Sequence, residues 1–77
     1  MPTILRKNGF TFFFYSNEHL PIHVHVEKGD GDAKFNLEPL VELVESHGLK
    51  TRELSEAEAI IQEHHQQLID AWKAHHS

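Results

Sequence analysis

The sequence predicts an α+β fold: an antiparallel sheet of four or five strands, built from two hairpins and packed against one long C-terminal helix. Three observations carry that expectation. Asn8-Gly9 stands between two apolar runs, and a type I′ turn needs positive φ at both central residues, which these residue types accept most readily. Ile22-His23-Val24-His25-Val26 alternates apolar and polar side chains, the pattern of a half-buried strand. From Ser55 onward, apolar residues recur at helical spacing with no Gly or Pro to interrupt them, so that one face can be buried.

The first turn fixes a register in which Lys7 faces Phe10, Arg6 faces Thr11 and Leu5 faces Phe12. Alternation then puts Leu5, Phe10, Phe12 and Phe14 on one face, and Ile4, Arg6, Thr11, Phe13 and Tyr15 on the other. The second hairpin turns at Gly29-Asp30-Gly31. Its core face is Ile22, Val24, Val26, Ala33, Phe35 and Leu37, which leaves His23, His25, Glu27, Lys34 and Asn36 on the opposite side. Pro39 to Gly48 fits either a short helix or a fifth strand, and the strand is preferred, giving a sheet over residues 3–47.

The helix is expected over 55–76. Ser55-Glu56-Ala57-Glu58 reads as a capping box with Leu54 as its hydrophobic staple, satisfying the first free amides of the helix. Its apolar stripe runs through Ala57, Ile60, Ile61, His64, Leu68, Ala71, Trp72 and His75. His64 and His75 are therefore expected to pack with a ring nitrogen satisfied, with His65 and His76 at the flank. Such a helix belongs on the apolar face of the sheet.

Seventy-seven residues make one domain, and a chain of this size buries only about 60% of its unfolded surface. The absence of cysteine removes disulfides and thiolate metal sites as supports. No apolar run approaches the roughly 20 residues of a membrane span, and no signal peptide is read, so a soluble cytoplasmic protein is expected. Seven Lys plus Arg against twelve Asp plus Glu give a net charge of −5, which argues against direct sequence-specific DNA binding by this chain. Protonating all eight histidines changes that to −5 + 8 = +3, part of it in a mildly acidic range.

Histidine chemistry is the main functional signal. Residues two apart in a strand share a face, so His23 and His25 are spaced to hold one cation, with Glu27 or His19 as a third ligand. Imidazole with carboxylate suits zinc or another divalent metal. The same imidazoles also suit general acid–base catalysis. Arg6, Tyr15, His19, His23 and His25 are the candidate catalytic residues, with Arg6 placed for bidentate phosphate contact and His as base and acid, needing no metal. Polar decoration of a solvent-facing sheet is the third reading. Phe13 beside Tyr15 on that face marks a candidate partner-binding surface. Gly29-Asp30-Gly31-Asp32 lacks the other ligands of a calcium loop and reads as a turn.

These residues also carry a resemblance. Met1-Pro2-Thr3-Ile4, Gly9-Phe10, Phe12-Phe13-Phe14-Tyr15-Ser16-Asn17-Glu18-His19 and Pro21-Ile22-His23-Val24-His25-Val26 resemble a small bacterial and phage family of unknown function with an FFFYSNEH…PHVHV signature. The likeness continues through Ala33-Lys34-Phe35, Leu37-Glu38-Pro39, Gly48, Arg52-Glu53-Leu54 and Ala71-Trp72. One departure is Pro21-Ile22, where the family usually has two prolines. That family is similar to toxin-antitoxin components. The resemblance implies a toxin whose partner is a small antitoxin-like protein encoded beside it, with the partner reading the operator. It implies no particular reaction.

Overall fold

A computed structural model describes residues 3–15 and 19–76, with the side chain of His76 left aside. Met1-Pro2 and Ser16-Asn17-Glu18 of the signature, and the expected flank position of His76, lie outside the described residues or side chains. The elements run β1 Thr3–Lys7, β2 Phe10–Phe13, β3 His23–Lys28, β4 Gly31–Asn36, β5 Glu42–His47, α1 Thr51–Glu63 and α2 His65–His76. The five strands form one antiparallel sheet in sequence order. The preferred reading of residues 39–48 as a strand therefore holds.

The Asn8-Gly9 turn has positive φ at both residues, 53° and 83°. It sets the expected pairs Lys7–Phe10, Arg6–Thr11 and Leu5–Phe12. The register then slips, and Thr3 rather than Ile4 pairs with Phe13. This bulge corrects the placement of Ile4 on the outer face: Ile4 and Leu5 both pack against the core. A bulge sets two residues against one, and parity changes there.

The core lies between the sheet and the helices. Phe10, Phe12, Phe14, Ile22, Val24, Val26, Ala33, Phe35 and Leu37 meet Ala57, Ile60, Ile61, Leu68, Ile69 and Trp72. The expected core positions of the strands are thus filled as alternation requires. No helix of the described residues is long and apolar enough to cross a membrane.

The helical part differs from one helix over 55–76 in two ways. It begins at Thr51, where the Lys50 N–H donates to the Glu53 carboxylate at 2.9 Å; Ser55 and Leu54 are already inside the helix. It also bends at His64, which has φ −110° and ψ 22°. The backbone ladder bridges the bend, since His64 N–H donates to Ile60 O and Leu68 N–H to His64 O, each at 3.0 Å. No Gly or Pro marks the place. Tertiary contacts fix it: the His65 Nε2 sits 2.7 Å from Leu37 O at the end of β4. His64, expected to have a satisfied ring nitrogen, has no hydrogen-bond partner at its buried Nε2, although the Glu63 carboxylate is 3.1 Å away. The missing bond reflects unfavourable alignment rather than distance. His75, expected to be packed, is exposed, with its ring 6.3 Å from that of Phe14.

Candidate functional site

Cross-strand partners point to the same side of a sheet, so the pairing defines two rows on the face turned away from the core. One row is Arg6, Thr11, Glu27, Asp32 and His47; the next is Phe13, His25, Lys34 and Glu45. Arg6 and His25 therefore share a face, one row apart. His23 pairs with Asn36 and has the same parity as His25, but its side chain is not offered to that face.

His23 is only 4% exposed. Its ring lies 4.8 Å from Trp72 of α2 and 5.2 Å from His25, and its Nδ1 is 2.8 Å from Pro21 O. Trp72 in turn meets Phe14 edge-on at 5.3 Å. Burial thus makes His23 a link between the core and the outer face. His19 is exposed in the loop before β3.

Phe13 is 2% exposed yet stands outside the main core cluster. The expected exposed phenylalanine is therefore covered, and its own neighbours cover it. His25 stacks on it with ring centroids 5.6 Å apart and 20° between planes. Tyr15 meets it edge-on at 5.5 Å and 81°. Tyr15 and His25 are themselves 4.5 Å apart. These offset and edge-to-face geometries are the favourable ones for aromatic quadrupoles. Tyr15, at 49% exposure, is the member of this cluster presented to a ligand.

Beside the rings is an open cleft of about 200 Å³, bordered by Phe13, Tyr15, His25, Glu27, Asp32, Glu45 and His47 among others. Its rim carries three carboxylates. Asp32 and His47, opposite one another on β4 and β5, approach to 3.1 Å between Oδ1 and Nδ1, and both are exposed. If Nδ1 carries the proton it donates to Asp32, leaving Nε2 to exchange a proton with a ligand.

Among the described residues, no three His, Asp or Glu side chains are grouped to hold a metal ion. His23, His25 and Glu27 are thus not gathered into the three-ligand set that their spacing allows. Asp32, Glu45 and His47 are the site residues that sequence reasoning missed. Asp32 directly follows the Gly29-Asp30-Gly31 turn, and the pattern of 39–48 fixes no register. Strict alternation from the core-side Leu43 would put Glu45 and His47 on the core side as well; the register shift between Lys34 and Phe35 turns them to the face with His25.

Residues 9–73 match the family described as a domain of unknown function, DUF4160. No curated protein and no solved structure matches the chain.

Proposed function

The chain belongs to the DUF4160 family, and because that family's description carries no function we propose one from the resemblance to toxin-antitoxin components, with the docking site taken from the geometry. The chain is the toxin-type member of a two-protein pair, and the outer-face cleft is where a basic segment of its small antitoxin-like partner docks. The observation that carries this reading is the pairing of an aromatic floor with an acidic rim. Tyr15 and His25 border the same cleft as Glu27, Asp32 and Glu45. An incoming Arg or Lys meets carboxylates for charge-assisted hydrogen bonds and a ring for cation–π contact. The net charge of −5 acts in the same direction, steering a basic partner in and a nucleic-acid backbone away.

Co-expression with the product of the neighbouring small reading frame tests this. The two proteins should co-purify, and Glu45→Lys with Glu27→Lys should abolish the complex while the melting temperature stays close to that of the parent. A complex unaffected by both charge reversals would exclude the cleft as the docking site.

A second reading has its own observation, the Asp32–His47 contact beside His25. An imidazole oriented by a carboxylate is suited to act as a base, with a second imidazole as acid. On that reading the free chain works on a phosphodiester without a metal, with Tyr15 flanking the reaction and Arg6 on β1 at the far edge of the same face, and the partner silences it by filling the cleft. Expression of the chain alone should then arrest growth, and His25→Ala with His47→Ala should relieve the arrest. Undiminished arrest with both imidazoles removed would exclude acid–base chemistry at this place.

A further inference from the structure

Among the described residues, β5 is an edge strand, paired on one side only, with β4. An edge strand presents unpaired backbone N–H and C=O groups to solvent, and proteins normally cover or blunt such a row. The other edge, β1, lies against the rest of the fold. Its Ile4 and Leu5 pack against the core, and its Lys7 is tied to Glu63 of α1.

β5 has a bulge beside it and two glutamates of its own, but its apolar side chains stay open. None of its side chains joins the core cluster. Leu43 pairs with Phe35 and so has core-side parity, yet it is 40% exposed, and Val44 at the adjoining register shift is 48% exposed. The outer side of the same strand supplies Glu45 and His47 to the cleft. One open edge therefore carries an apolar strip on one side and the acidic rim on the other.

We infer that the partner's basic segment is an extended one, which joins the sheet as a sixth strand along β5. Its residues alternate: Lys or Arg at every second position lies beside Glu45 and His47, reaching across β5 towards Asp32, and apolar residues between them lie beside Leu43 and Val44. Period-two alternation is what any added strand must show to address two faces at once. This rests on the cleft being the partner site and adds the partner's conformation and sequence pattern. A second copy of the chain is a poor occupant. Any symmetric antiparallel pairing of β5 with itself that engages at least five of its six residues sets Glu45 against Leu43, Val44 or another Glu45. Each of those contacts buries a carboxylate against an apolar group or against a like charge.

The test uses the isotopically labelled full chain and the capped peptide Lys-Val-Arg-Val-Lys-Val, with Lys-Lys-Arg-Val-Val-Val as the control of equal composition. Strand addition predicts that the alternating peptide shifts the resonances of Tyr15 and His25 and slows amide exchange within Glu42–His47 about tenfold or more, as new backbone pairing does. The control peptide should give neither effect at the same concentration. Leu43→Glu with Val44→Glu, at two exposed positions, should remove the protection. Shifts at Tyr15 and His25 with β5 exchange unchanged would overturn strand addition and leave the cleft reading standing. No shift and no protection would overturn both. A dimer of the chain alone in sedimentation, with β5 already protected, would assign the edge to a second copy and overturn the inference.

Discussion

His25 stacks on Phe13 across the β2–β3 pair, 5.6 Å between ring centroids and 20° between planes, on the sheet face opposite the helices. That contact turns a polar strand face into a small second aromatic cluster. It also settles how Phe13 behaves on substitution. Phe13 is buried, so Phe13→Ala should cost about 3 kcal/mol or more, as other buried phenylalanine truncations do. Urea unfolding with an unchanged m-value measures it. A loss below about 1 kcal/mol would show that Tyr15 and His25 close over the gap, against the tight packing described.

Tyr15 should behave in the opposite way. It is half exposed, so Tyr15→Ala should change stability by no more than about 1 kcal/mol, a normal value outside a core. Partner affinity should fall at least about tenfold, since an exposed aromatic anchor is a common hot spot. Titration calorimetry with the purified partner checks the affinity. Equal losses of stability and affinity would instead make Tyr15 a structural residue.

His65 anchors the start of α2 through Leu37 O, at 2.7 Å in a partly buried contact. His65→Ala leaves that carbonyl without its side-chain partner and should cost about 1–3 kcal/mol. The exchange of the Leu68 amide, which bridges the bend at His64, should speed up with it. Unchanged exchange at Leu68 would show that the bend is held by the apolar contacts alone.

Lys7 donates to the Glu63 carboxylate, and this hydrogen bond and charge, helped by His64, hold Glu63 below its ordinary value of 4.5. A carboxylate with a depressed folded value contributes stability above its unfolded value and loses it as pH falls through the folded one. Lys7→Met should return Glu63 towards 4.5 and remove that contribution from the acid limb below it. Both side chains are exposed, so the effect on melting is small. The carboxyl carbon titration of Glu63 is the sensitive readout. A titration unaltered by the substitution would contradict the pairing.

Much of this molecule is legible in the chain because local rules and global packing agree. Asn8-Gly9 determines a turn type, the turn determines register, and register decides which of Phe12 and Phe13 enters the main core. Three features escape that logic. The bulge between Thr3 and Leu5 reverses Ile4 with no Gly or Pro to mark it. The bend at His64 comes from packing against the sheet end, while its local sequence is an uninterrupted helical pattern. His23 has outward parity but a buried ring, because α2 brings Trp72 to it, and no pairwise rule within β3 contains that helix. The candidate site was half visible for the same reason. His25, Tyr15, Arg6 and Phe13 follow from the turns, whereas Asp32, Glu45 and His47 depend on the β4–β5 register, which the ambiguous residues 39–48 did not fix.

The most direct test of the cleft as working surface is a resonance map of the full chain bound to its co-expressed partner. The largest shifts are expected at Tyr15, His25, Asp32, Glu45 and His47. Shifts gathered on the exposed side of the helices, at Glu56, Gln62 and Lys73, with those five unmoved, would contradict it.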